Sequence, residues 1–257
     1  MHQLRLFFVA LQFFTRIPIP HWVGFDASWL HHASRYFPAV GWVVGAWSAL
    51  VYALVSTIWP QPVAAVLSTA AGIWLTGAFH EDGFADVCDG FGGGSTPERV
   101  LEIMKDSRVG AYGAIGIVLM LLAKCTVLAS LPPVWAVAAL LIAHPLSRLM
   151  AVSLIWKLDY ARQEGKAKPL AQHMSGGEFL IACVTVLLPI AALLFFKNFL
   201  LPHFLIGLAL LLLAGCWLAR LFVRRIAGYT GDCLGAVQQL SELAFYLGFA
   251  AAIGKFI

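Results

Sequence analysis

Seven stretches of this chain are long and apolar enough to cross a lipid bilayer: roughly Phe37–Trp59, Val63–Phe79, Ala111–Leu131, Val134–Trp156, Phe179–Phe196, Phe199–Phe222 and Leu234–Phe256. Spanning takes about 20 residues at a rise of about 1.5 Å each. The pattern predicts an all-α, polytopic membrane bundle of about seven transmembrane helices. Composition agrees, with 61% hydrophobic and 12% charged residues and a mean hydropathy of +0.84. That excludes a disordered chain, which lacks apolar residues, and a single soluble globule, which needs more polar cover. No internal repeat or low-complexity linker divides the sequence, so residues 1–257 are expected to form one membrane-embedded domain.

The N-terminus carries Arg5, the apolar run Leu6 to Phe14, and Arg16. The run is too short to span and has no small-residue cleavage site. It predicts an interfacial or re-entrant helix ending at Pro18 and Pro20. The later connections alternate in kind. Trp59-Pro60-Gln61-Pro62, Leu131-Pro132-Pro133 and Lys197-Asn198 are short; His80 to Gly110, Lys157 to Glu178 and Val223 to Cys233 are long and charged. Seven spans place the long loops and the N-terminus on one side. That side holds thirteen Lys and Arg residues, from Arg5 to Arg225, against Lys197 and Lys255 opposite. The asymmetry makes the long loops cytoplasmic, and the expected location is the cell (inner) membrane. The net charge of +4 calls for no nucleic acid. None of the five cysteines forms a C-x-x-C pair, so neither zinc nor a disulfide framework is suggested.

Acid is concentrated in one place. Seven of the thirteen acidic residues lie between His80 and Arg108. Asp82, Asp86 and Asp89 are spaced i, i+4 and i+7. If the second span continues as a helix past Phe79, they share one face. Like charges so spaced repel, and a divalent cation relieves the repulsion. Hard oxygen donors suit Mg²⁺ or Mn²⁺, and Mg²⁺ commonly shares its shell with water and substrate phosphates. The following Gly90-Phe91-Gly92-Gly93-Gly94 is open between a phosphate-approaching loop and plain flexibility. Thr96 or Ser95 is a candidate cap for a short helix opening with Pro97. Lys105 and Arg108 suit a phosphorylated substrate, and Asp106 is either a further ligand or a partner of Arg108.

Charges also occur within spans. Arg148 either faces a cavity or snorkels to the interface. His144 reads as an ordinary core residue, and Lys124 has no evident role. Asp232 lies at the level of the acidic loop; Gln238, Gln239, Ser241 and Glu242 interrupt the last apolar helix. Asp232 and Glu242 either line the same cavity as Asp82 or join helices by hydrogen bonds.

These residues together resemble a known family. Thr15-Arg16-Ile17-Pro18-Ile19-Pro20 looks like its opening signature, and His80-Glu81-Asp82-Gly83-Phe84-Ala85-Asp86 with Asp89-Gly90 like its acidic motif. Met104-Lys105-Asp106-Ser107-Arg108-Val109-Gly110-Ala111-Tyr112-Gly113 and Gly231-Asp232-Cys233-Leu234-Gly235-Ala236 with Glu242 are similar to two further motifs. The family is adenosylcobinamide-GDP ribazoletransferase, also called cobalamin 5′-phosphate synthase. Glu81 departs from it, where an apolar residue is common. The resemblance implies transfer of the cobinamide phosphoryl group of adenosylcobinamide-GDP to α-ribazole or its 5′-phosphate, with release of GMP, late in cobalamin assembly. It implies Mg²⁺ on Asp82, Asp86 and Asp89, positive charge from Lys105 and Arg108, and Asp106 or Asp232 as proton acceptor, with His80 a weaker candidate. A homo-oligomer, or association with other cobalamin-assembly enzymes, is compatible with the chain, though no residue marks either.

Two rivals use similar residues. CDP-alcohol phosphotransferases also cluster aspartates on membrane helices. Asp82-Gly83 begins their D-G-x-x-A-R motif, but Asp86 departs from it and the downstream spacing fails. An ion-coupled transporter would place its acid near the midplane, whereas most acid here lies at the rim.

Overall fold

The computed structural model describes residues 1–24, 26–161, 173–197 and 200–253. Eleven α-helices are found among them: α1 (His2–Phe14), α2 (Ala27–Ala33), α3 (Phe37–Val55), α4 (Gln61–Thr76), α5 (Phe79–Gly93), α6 (Pro97–Ile103), α7 (Ala111–Ser130), α8 (Pro133–Lys157), α9 (Gly176–Phe196), α10 (Leu201–Ile226) and α11 (Gly231–Ile253). The all-helical membrane class expected from the sequence is what forms. Arg162, Lys166, Lys168, Asn198 and Lys255, used above to read the loops and their charge, lie outside the described residues.

Among the described residues, which end within the seventh expected stretch Leu234–Phe256, the count of seven is not confirmed. Five helices are long and apolar enough to cross: His31–Val55, α7, α8, α9 and α10. The α4–α5 pair makes six if it counts as one broken span. The exception is α11. Its polar residues Gln238 to Glu242 lower its hydropathy, and it can carry them because it packs among α5, α7, α8 and α10. A helix shielded by other helices does not have to be apolar all round.

The second correction concerns α4 and α5. The second span does not run on past Phe79. Gly77 (φ +65°) and Ala78 (φ +60°) are both left-handed, and α5 leaves at 93° to α4. A left-handed alanine costs roughly 1–2 kcal/mol, and α1 supports the turn. Its C-terminus is closed by Thr15, whose hydroxyl donates to Leu11 C=O at 2.7 Å. The Arg16 N–H then donates to Leu75 C=O at 2.9 Å, satisfying a carbonyl at the end of α4. The Arg16 guanidinium lies over the Trp74 ring. Helix α1 is too short to cross and packs on α2 and α3, as its length predicts.

Two apolar clusters stack along the helices. One, on the side of the long loops, includes Phe14, Phe37, Val44, Val152, Ile155, Phe222 and Val237. The other includes Tyr52, Leu128, Leu140, Ala143, Phe204 and Phe245. Between them along α8 and α11 lie the buried polar residues His144, Ser147, Arg148, Gln238, Gln239, Ser241 and Glu242. A polar layer thus divides the apolar interior.

Candidate functional site

The acidic motif folds as α5 itself, with Asp82, Asp86 and Asp89 on successive turns of one helix. Their surroundings differ. Asp82 is exposed, Asp86 half-buried and Asp89 buried. Asp89 turns to α7: Oδ2 accepts from the Gly110 N–H at 2.7 Å and Oδ1 from the Gly113 N–H at 2.8 Å. Gly110 is the N-cap of α7 and has no side chain with which to cap it. Asp89 supplies the cap from another helix, where the helix dipole favours an anion. The pairing of a side-chain-free cap at Gly110 with Gly113 was the available sequence signal for this role.

Helix α11 meets α5 at Gly83. A Cβ there would lie 3.0 Å from Asp232 Cα, so the two backbones touch. This contact brings the first turn of α11, which holds Asp232, beside the Asp82–Asp86 face. Asp232 Oδ2 accepts from the Thr230 hydroxyl at 3.3 Å. Asp82 and Asp86 stand one turn apart on α5 and offer hard oxygen donors. That set fits Mg²⁺, which takes one or two protein carboxylates and completes an octahedral shell with water and phosphate oxygens. Among the described residues, no group of three or more His, Cys, Asp or Glu side chains converges on one point.

The glycine run is helical rather than an open loop: α5 continues to Gly93. A Cβ at Gly92 would lie 2.5 Å from the Tyr112 ring, so this glycine serves close packing against α7. Arg225 donates to Gly94 C=O at 2.6 Å and pins the end of α5. Thr96 caps α6 as expected, accepting from the Arg99 N–H at 3.3 Å, with Pro97 in the first turn.

Beyond α6, Lys105 is exposed, and Arg108 forms a fork with Asp106, Nη2 to Oδ2 at 2.6 Å. Asp106 also accepts from the Arg108 N–H at 3.1 Å. The Arg108 side chain, then its backbone N–H, lowers the Asp106 carboxyl to about 2. So acidic a group is a poor proton acceptor near neutral pH. An open cleft here is lined by Asp89, Arg99, Asp106, Arg108 and Tyr112.

Arg148 and Glu242 lie elsewhere, in the polar layer. Arg148 is 3% exposed and does not snorkel. Its Nη1 donates to His144 C=O at 3.0 Å. Glu242 accepts from Lys124 Nζ at 2.9 Å, Gln238 Nε2 at 2.6 Å and the Tyr246 hydroxyl at 3.2 Å, with His144 Nδ1 at 3.2 Å. Lys124 also donates to Gln239 at 2.5 Å, and Gln239 to Glu81 at 2.8 Å. His80, Glu81, Lys124, His144, Arg148 and Glu242 line a narrow polar cavity of about 30 Å³. Sequence reasoning left Lys124, His144 and Glu81 without a role. The i, i+4 repeats Gln238–Glu242–Tyr246 and His144–Arg148 were the signal that these helices face one another.

A helical bundle with several helices long and apolar enough to span a bilayer, an acidic helix at one end and a basic loop beside it, defines a multi-pass membrane protein. Residues 6–250 match the sequence model of the family described as cobalamin-5-phosphate synthase, CobS, and the chain belongs to that family. A relative from Leptothrix cholodnii named adenosylcobinamide-GDP ribazoletransferase is 47% identical, covering 98% of this chain and 97% of its own. Proteins of the same name from Ralstonia pickettii and Polaromonas sp. are 49% and 44% identical, covering 94% and 97% of this chain and 93% and 98% of their own. No solved structure matches.

Proposed function

We propose that this protein is a transferase that moves the cobinamide phosphoryl group of adenosylcobinamide-GDP onto a hydroxyl of α-ribazole or α-ribazole 5′-phosphate. The new bond joins the acceptor oxygen to phosphorus. The bridging P–O bond breaks, GMP leaves with the bridging oxygen, and the hydroxyl proton passes to the protein. Membership of the family over residues 6–250, with the acidic helix formed and exposed at the loop end, carries this reading.

Asp82 and Asp86 are the proposed holders of Mg²⁺, which would stabilise charge on the transferring and leaving oxygens. Asp89 fixes α5 against α7. Lys105 and Arg108 add positive charge for the diphosphate. Asp232 is the proposed proton acceptor, because Asp106 is taken up by its fork with Arg108. Glu242 acts as counter-ion to Lys124. The basic excess at the loop end supports placing this end in the cytoplasm and the protein in the cell inner membrane.

The test is detergent-purified protein with adenosylcobinamide-GDP, α-ribazole 5′-phosphate and Mg²⁺, following GMP and product by mass. Metal-dependent product, lost with EDTA and reduced roughly 100-fold or more in Asp82→Asn, is expected. Folded wild-type protein that forms no GMP, or turns over a CDP-alcohol instead, would overturn the reading.

A further inference from the structure

An open groove of about 460 Å³ runs beside the last turns of α10, and its lining includes Leu158, Trp217, Arg220, Leu221 and Arg224. The last four of these are spaced i, i+3, i+4 and i+7 and share one face of α10. The face continues toward the start of the helix through Leu213, Leu210 and Ile206, all exposed. An apolar stripe therefore runs along α10 and ends in two arginines. At about 1.5 Å per residue, Arg220 stands roughly 28 Å along the axis from Leu201, close to the thickness of a bilayer's hydrocarbon. The stripe lies at the depth of lipid tails and the arginines at the depth of headgroups.

These two cations are not answered within the chain. Arg35, Arg99 and Arg108 pair with carboxylates, and Arg225 donates to Gly94 C=O. Arg220 and Arg224 are exposed, and among the described residues neither has a hydrogen bond or ion pair. Asp159, one residue beyond Leu158, forms no ion pair with them. Lys157 lies on the Trp156 ring, with Nζ 3.6 Å from the centroid. The Trp217 indole N–H also lacks an acceptor among the described residues. Tryptophan favours the headgroup level of a membrane, where its ring is in apolar surroundings and its N–H meets polar groups.

We infer that this groove binds one anionic phospholipid, with its phosphodiester between Arg220 and Arg224 and an acyl chain along Trp217, Leu213 and Leu210. Guanidiniums suit phosphate oxygens, and basic residues at the headgroup end of spanning helices attract anionic lipid. Inorganic phosphate would use the arginines and leave the apolar stripe bare. A zwitterionic lipid supplies the tails but brings its own ammonium beside two guanidiniums. Phosphatidylglycerol supplies phosphate and tails and has no amine. Leu158 leads directly into the tie between the ends of α8 and α10, where the Ala161 N–H donates to Tyr229 C=O at 2.8 Å and the Tyr229 N–H to Asp159 C=O at 3.0 Å. A lipid seated in the groove braces that junction. The inference is independent of the reaction proposed for the acidic helix.

The experiment is native mass spectrometry of the full chain, delipidated in detergent and titrated with phosphatidylglycerol, phosphatidylcholine or inorganic phosphate. Wild type should retain a single phosphatidylglycerol and hold it about tenfold more tightly than phosphatidylcholine. The Arg220→Gln, Arg224→Gln double variant should bind phosphatidylglycerol about 30-fold more weakly, the combined effect of two cations at an anionic membrane surface. Both arginines are exposed, so their replacement puts little burden on folding. Phosphatidylglycerol should raise the melting temperature of wild type and leave that of the double variant unchanged. Dibrominated phosphatidylglycerol should quench the part of the tryptophan emission that is lost in Trp217→Phe. Equal retention of the two lipids by wild type, undiminished retention by the double variant, or quenching that persists in full in Trp217→Phe would overturn the site. Inorganic phosphate held as tightly as phosphatidylglycerol would overturn the lipid as its occupant.

Discussion

The chain places acid in two settings. At the rim, Asp82 and Asp86 sit on α5 where water and ligand reach them. In the interior, Glu242 is 4% exposed and is held by Lys124, Gln238, Tyr246 and His144. The difference teaches what a carboxylate needs in order to be charged in each setting. A buried charge persists only when a counter-charge and hydrogen bonds replace its hydration. An exposed carboxylate such as Asp82 keeps its hydration and meets no such demand.

The sharpest way to break the comparison is to remove one partner of the interior pair. Glu242→Ala leaves Lys124 buried without its counter-ion and should destabilise by about 3–5 kcal/mol, read as lost thermal stability in detergent. The Lys124→Met, Glu242→Gln double variant should recover most of that. At the rim the outcome inverts: Asp82→Asn should cut turnover roughly 100-fold while thermal stability stays within about 0.5 kcal/mol. Asp89→Ala belongs between the two. It removes the cap on α7 and should cost about 1–2 kcal/mol, with hydrogen exchange faster at Gly110 and Gly113. Equal stability losses for Asp82→Asn and Asp89→Ala would erase the distinction.

The smallest effect concerns pH. Asp106 is depressed to about 2 by Arg108, against about 3.9 for a free aspartate. Whatever stability the pair adds is present above about pH 4 and lost as pH falls through 2. Carboxyl NMR should find Asp106 ionised at pH 3 in wild type and titrating near 4 in Arg108→Ala. The acid limb of the rate profile should not move between the two.

Much of this was legible in the sequence. Apolar length gave the helical class, Thr96 with Pro97 marked the start of α6, and the aspartate spacing placed one helix. The 93° bend was not legible, because it depends on Ala78 adopting a conformation that alanine ordinarily avoids. Nor was the tie between Lys124 and Glu242, 118 residues apart, since neither residue announces a distant partner. The glycine run misled for a different reason. Glycine signals loops by default, but Gly92 is there to let the Tyr112 ring approach a helix. Helix α11 carries polar residues along its length because it is shielded by protein rather than lipid.

The right-angled junction at Gly77 and Ala78 also sets the direction of approach. A row continuing straight on from α4, which runs toward the long-loop end, would project away from the bundle, each carboxylate farther from the helices that pack on α5. Turned sideways, the row is laid out across the end of the bundle like rungs seen from above. Whatever meets the row meets it along its length rather than end-on.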